Sequence, residues 1–184
     1  MRRQSVGSWF AGCQLEAVWV TIKLVDFRRK ILTAETLVAW REELRRDRCR
    51  LVATNGCFDL LHLGHASYLQ QARGLGDALL VGITNDAGVR QLKGPGRPVN
   101  GEADRAGVVA ALESVDGVFV FPELDAREFL TLARPDIYAK GGDYTLDTIN
   151  QDERRLLEKL EVKIVILPAV PGKSTSATLN KLKV

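Results

Sequence analysis

The sequence predicts a doubly wound α/β fold, and three observations carry that expectation. From about Lys30, short apolar stretches alternate with stretches of helical spacing. The run Ala78-Leu79-Leu80-Val81-Gly82-Ile83 is apolar without a break, as in strands covered on both faces of a parallel sheet. The chain has 184 residues, 46% apolar and 27% charged, which suits one soluble domain with its own core. The expected architecture is a Rossmann-like five-stranded parallel sheet with helices on both faces.

The elements follow in order. Thr33 is a good N-cap, and Leu37, Trp40 and Leu44 follow at helical spacing until the solvated run Arg45-Arg46-Asp47-Arg48. Leu51–Thr54 reads as the first strand, closed by Asn55-Gly56. A helix from Gly64 to about Gly74 places Ala66, Leu69 and Ala72 on one face. Ala78–Ile83 is the second strand. A helix over 102–112 leads to the strand Val118–Phe121, and one over 126–133 leads to Ile137–Ala139. A charged helix over 150–160 precedes Val162–Leu167, and a last short helix follows Ser174.

Residues 30–184 read as the domain and residues 1–29 as a poorly ordered N-terminal extension. Met1-Arg2-Arg3 before Trp9 and Phe10 faintly resembles a secretory leader, but Gln14 and Glu16 interrupt the apolar run. No apolar run reaches the roughly 20 residues of a membrane helix. Cys13, Cys49 and Cys57 form neither a CxxC pair nor a zinc set, which favours a reducing, cytoplasmic compartment. The net charge of +3, with no aromatic-interleaved basic stripe, argues against a nucleic-acid or membrane partner.

In doubly wound sheets ligands sit outside the C-terminal ends of the strands. There the chain reads Thr54-Asn55-Gly56-Cys57-Phe58-Asp59, then His62-Leu63-Gly64-His65. The two histidines are the only ones in the chain, and Gly64 lets a ligand approach the backbone between them. A helix starts here, so its free N–H groups and positive dipole end suit a polyphosphate. Two other readings stand beside this one. The histidines can simply cap and pack, or Asp59, His62 and His65 can hold a metal, although no further histidine exists to complete a zinc site.

Three further segments fall at predicted strand ends. Lys93-Gly94-Pro95-Gly96-Arg97-Pro98 reads as a cationic flap that brings Lys93 and Arg97 onto phosphates, or as a plain surface loop. Its two cations have no obvious acidic neighbour in sequence. In Lys140-Gly141-Gly142-Asp143-Tyr144 the glycines permit close approach and Asp143 can bond a ribose or base. The alternative is a glycine turn beside a solvated lysine. Gly172-Lys173-Ser174-Thr175-Ser176 opens a helix whose hydroxyls can hold phosphate oxygens or merely cap it. There is no Walker A sequence and no GxGxxG after the first strand.

His62-Leu63-Gly64-His65 resembles the HxGH signature of the nucleotidyltransferase superfamily, and Ser174-Thr175-Ser176 resembles its second, hydroxyl-rich signature. With Thr54–His65, Leu92–Gly94, Arg97–Val99, Lys140–Tyr144 and Gly172–Thr175, the chain is most similar to the adenylyltransferase domain of bacterial ADP-heptose synthases, over about residues 30–182. That resemblance implies transfer of AMP from ATP to D-glycero-β-D-manno-heptose 1-phosphate, with Mg²⁺ bound alongside ATP and no metal held by the protein itself. It implies a homodimer or larger homo-oligomer. It also implies a stand-alone enzyme, since there is no room here for the sugar kinase domain that precedes this one in bifunctional members.

By the same resemblance His62, His65 and Lys93 are the catalytic groups. Thr54, Asn55, Gly56, Phe58, Gly64, Arg97, Gly142, Asp143, Ser174 and Thr175 would bind the nucleotide. One position departs from related cytidylyltransferases, which carry Arg three residues before the glycine of the second signature. Here it is Ala169, which leaves the triphosphate's cation to Lys173 or Lys93. The alternatives are another phosphorylated acceptor, such as glycerol 3-phosphate with CTP or a flavin phosphate with ATP, and a nucleotide-binding module without catalysis.

Overall fold

A computed structural model describes residues 26–122, 124–142 and 144–168, together with Thr175 and Leu179. The expectations for residues 1–25, Asp143, Ala169, Gly172, Lys173, Ser174 and Ser176 lie outside the described residues.

The chain enters through a 3-10 turn at Phe27–Lys30, where Phe27 packs against the core. Helix α1 (Ala34–Arg46) begins at Thr33 with a reciprocal cap: Thr36 N–H donates to Thr33 Oγ1, and Thr33 N–H donates to Thr36 Oγ1. Strand β1 (Leu51–Gly56), helix α2 (Leu63–Arg73) and strand β2 (Ala78–Thr84) follow. Then come helices α3 (Asp86–Lys93) and α4 (Glu102–Ala110) and strand β3 (Gly117–Phe121). Helix α5 (Arg127–Ala133), strand β4 (Ile137–Gly141), helix α6 (Gln151–Lys159) and strand β5 (Lys163–Leu167) complete the described order.

All five strands are parallel, in the order β3-β2-β1-β4-β5. β2 is buried at every position, as its unbroken apolar run requires. Alternate side chains feed two cores. Val52, Leu79, Val81 and Val118 meet Leu69 and Ala72 of α2 and Val109 of α4 on one face. Leu51, Ala53, Leu80 and Tyr138 meet Leu37 of α1, Phe129 of α5 and Leu157 of α6 on the other. Helices cover both faces, as the sequence predicts.

Helix α3 was not expected. Asn85 caps it by accepting from Gly88 N–H at 2.8 Å, and the residues after β2 turn helical before the cationic loop begins. The strand order reverses direction between β1 and β4, so the sheet's switch point lies between their C-terminal ends. There β1 and β4 pair in register only at Val52 with Ile137 and Ala53 with Tyr138, whereas β1 runs beside β2 from Leu51 to Gly56.

Candidate functional site

A cavity of about 570 Å³ opens at that switch point. One wall comes from the end of β1 and the start of α2. His62 is the N-cap of α2, and its side chain makes no capping hydrogen bond, so that helix end is left to accept an anion. The His62 and His65 rings stack with centroids 3.9 Å apart, and Phe58 packs on His65 at 5.3 Å. Phe58 has φ +46°, a left-handed turn that carries the chain from the strand end into this loop.

His65 Nδ1 is buried and has no hydrogen-bond partner among the described residues. Burial, reinforced by repulsion from His62, pushes the His65 pKa down to about 4. At neutral pH this imidazole is uncharged. It can act on a phosphate as a hydrogen-bond donor, and a bound anion would draw its pKa upward.

The rim carries the cationic loop, and here the expectation of two unpaired cations is corrected. Arg97 Nε lies 2.5 Å from Asp59 Oδ2. Asp59 Oδ1 also accepts from Val99 N–H at 2.7 Å and Asn100 N–H at 3.1 Å. Burial works to raise the Asp59 pKa. The N–H of Asn100, the Arg97 side chain and the N–H of Val99 together outweigh it, and the carboxyl is held below its ordinary value. Asp59 is thus an anchor for the loop, and its oxygens are committed there rather than to a metal. Lys93 ends α3, is exposed and lines the cavity. Gly94 and Gly96, at φ +89° and +79°, carry the loop away from it.

Arg105 of α4, nearly fully buried, ties the same region together. It donates to the carbonyls of Cys57 and Asn100 and pairs with Asp86 Oδ1 at 2.8 Å. Sequence reasoning missed this residue, because nothing local marks an arginine in an amphipathic helix as buried.

The other wall is β4. The alternative of a glycine turn beside a solvated lysine does not hold for Lys140. Its Nζ donates to Asn55 Oδ1 at 2.7 Å and to Tyr138 Oη at 3.1 Å. Burial lowers the Lys140 pKa, with Glu153 and Cys57 pulling the other way. Gly141 is required by contact: a Cβ there would lie 2.4 Å from the Tyr68 ring. Gly142 has φ +97° and nothing within 4 Å of a Cβ, so its backbone stands open.

A family model described as cytidylyltransferase-like matches residues 53–181, which run from β1 through the last described strand and beyond. The chain belongs to the cytidylyltransferase-like family. Among curated relatives, a "Bifunctional protein HldE" of Mesorhizobium japonicum is 46% identical over 150 residues, 82% of this chain and 29% of its own. One of Campylobacter fetus subsp. fetus is 45% identical over 163 residues, 88% of this chain and 33% of its own. The chain spans about a third of the length of such relatives. Among solved structures, the lipopolysaccharide core biosynthesis protein from Thermoplasma volcanium superposes with a TM-score of 0.56 at 28% identity, covering 66% of this chain and 97% of that one. A pantoate-beta-alanine ligase from Francisella tularensis shares the fold, with a TM-score of 0.52 at 16% identity, covering 79% of this chain and 68% of that one.

In this cytidylyltransferase-like site His62, His65, Lys93, Asn55, Gly56, Phe58, Gly64, Arg97, Gly142 and Thr175 line one cavity. Thr175 Oγ1 donates to the Leu60 carbonyl at 3.3 Å, joining the second signature to the HxGH loop. Thr54 does not reach the cavity. Its side chain is fully buried and shares a 2.6 Å hydrogen bond with Tyr68 Oη, which in turn donates to the Ala139 carbonyl. Asn55 lines the cavity, but its Oδ1 is already engaged by Tyr138 and Lys140.

Proposed function

We propose that this chain is an adenylyltransferase that transfers AMP from ATP to D-glycero-β-D-manno-heptose 1-phosphate, giving ADP-heptose and pyrophosphate. The observation that carries the reading is the stacked His62–His65 pair at the uncapped start of α2, facing a cavity at the switch point. The relatives named HldE and the lipopolysaccharide core protein support a sugar phosphate as the acceptor.

The chemistry suits these residues. An acceptor phosphate oxygen attacks the α-phosphorus, the new P–O bond forms, and the bond to the β-phosphate oxygen breaks as pyrophosphate leaves. The nucleophile is already anionic, so no strong base is needed. The protein holds the groups in line and meets developing charge. The neutral His65 and its neighbour His62 donate hydrogen bonds to the phosphates, the α2 N–H groups add to them, and Lys93 closes over the leaving group. Thr175, beside Ser174 in sequence, serves the β- and γ-phosphates.

Among the described residues no three His, Cys, Asp or Glu side chains gather as a metal cage. That suits Mg²⁺ carried in on the triphosphate with its waters, where it would neutralise phosphate charge. No described helix is long and apolar enough to cross a membrane. The small phosphorylated substrates of this reading suit work in the cytoplasm.

A coupled pyrophosphate-release assay over ATP and CTP, against heptose 1-phosphate, glycerol 3-phosphate and a flavin phosphate, tests the reading. Highest kcat/KM for ATP with heptose 1-phosphate is expected. Preference for CTP with glycerol 3-phosphate would overturn it, and nucleotide binding without turnover would mark a binding module.

A further inference from the structure

Three lysine and arginine side chains line the described cavity: Lys93, Arg97 and Lys140. Arg97 is matched by Asp59 in direct contact, and Lys93 stands exposed at the rim. Lys140 differs from both. It is held inside, at the end of β4, by neutral oxygens only: Asn55 Oδ1 and Tyr138 Oη. Its Nζ also lies 5.3 Å from the centre of the Tyr144 ring. An ammonium has three N–H groups, and two are used here.

The chain of bonds continues behind it. Tyr138 Oη accepts from Lys140, so its single proton goes to Asn55 Oδ1 at 2.5 Å or Glu153 Oε2 at 3.1 Å. Glu153 is buried, and its other oxygen accepts from Ala126 N–H at 2.8 Å. Glu153 also lines the cavity, but its bonds run to Tyr138 Oη and the Ala126 N–H, so it reaches Lys140 through one hydroxyl. The ammonium stays on the cavity side, across from the uncapped start of α2. The two carboxylates of the lining, Asp59 and Glu153, are each held by protein donors, so two positive ends facing one cavity are best satisfied by an anion that bridges them.

We propose that Lys140 contacts substrate, its ammonium taking a phosphate oxygen of ATP or of the sugar phosphate at the β1–β4 switch point, and that Asn55, Tyr138 and Glu153 position it. The proposal rests on the adenylyl-transfer reading for the identity of the two phosphates.

The test is steady-state kinetics on Lys140→Met, Lys140→Arg and Tyr138→Phe, varying ATP and heptose 1-phosphate separately. Calorimetry with α,β-methylene-ATP and with the sugar phosphate reads binding of each alone. Lys140→Met should lose at least about tenfold in kcat/KM for one substrate, as expected for one charge-assisted hydrogen bond. The substrate affected identifies the phosphate. Lys140→Arg should recover part of the loss. Tyr138→Phe should raise KM for the same substrate and shift the pH profile, and it carries the test if Lys140→Met does not fold. Unchanged kcat/KM for both substrates in folded Lys140→Met, or in Tyr138→Phe if that variant alone folds, would overturn the proposal. A wild-type chain inactive with every nucleotide and acceptor would instead overturn the adenylyl-transfer reading. Calorimetry with inorganic pyrophosphate would then still decide for Lys140: weaker binding in the variant supports it, and equal binding overturns it.

Discussion

Asp59 and Arg97 stand 38 residues apart in sequence and meet at 2.5 Å, and through that pair the HxGH loop holds the far end of the cationic loop. Asp59→Asn removes the charge opposite a mostly buried guanidinium and weakens the bonds to Val99 and Asn100. Breaking a buried pair from one side costs roughly 3 kcal/mol. The expected outcome is a clear fall in denaturant midpoint together with lower turnover. The sign with pH follows from the lowered Asp59 pKa. Its contribution is full above the ordinary aspartate value and disappears as pH falls through the lower folded value. The stability gap between wild type and Asp59→Asn should therefore close in acid, as urea titrations from neutral to strongly acidic pH would measure.

His62→Ala and His65→Ala should each lower kcat by roughly a hundredfold to a thousandfold, the usual effect of removing one donor to a developing oxyanion. Nucleotide affinity should change far less. Full kcat in either folded variant removes that residue from the mechanism.

The pKa of His65 gives a separate expectation. With the group pushed down to about 4, the free protein should show no His65 titration between neutral pH and 6. Folded stability should decline below the ordinary histidine pKa, because the unfolded chain takes up a proton that the folded site refuses until about 4. Imidazole chemical shifts followed through a pH titration check both. Adding ATP should move the midpoint upward.

Hydrogen exchange should divide the cationic loop in two. The amides of Val99 and Asn100, which donate to Asp59, should be protected without ligand. Gly94 N–H already donates to the Arg90 carbonyl at 2.9 Å, and the amides of Gly96 and Arg97 should gain protection only with ATP and Mg²⁺. Lys93→Ala should then lower kcat. Uniform exchange across 93–100 in the free protein would contradict the anchor.

Gly141→Ala should cost about 1–3 kcal/mol by overpacking. Its methyl group would drive into the Tyr68 ring, whose hydroxyl holds Thr54 and the Ala139 carbonyl. Thermal denaturation measures the loss, and Tyr68→Leu in the same chain should relieve part of it.

The fold was legible because β2 and its neighbours are apolar runs too short for a membrane and too continuous for a half-exposed sheet. The ten elements that caps and apolar spacing predict between Thr33 and Leu167 all begin and end within a few residues of those positions. Helix α3 escaped because it is short and buries only Gly88 and Val89, leaving too little apolar periodicity to see. In the site, the HxGH segment was legible because its residues are contiguous. The Asp59–Arg97 pair, the buried Arg105 and the Lys140–Tyr138–Glu153 chain were not, since each joins residues that only the folded sheet brings together. Thr54 misled because it adjoins the motif while its side chain faces inward.

The brief pairing of β1 with β4 has a mechanical side. The sheet is stitched least where its two halves meet, so the halves can splay there, and this is where the cavity opens. Asn55 reaches from one half and Lys140 from the other, and their bond is a clasp across that seam. A ligand gripping α2 on one side and the end of β4 on the other would act as a second clasp, turning two loosely joined halves into one stiff body for as long as it stays bound.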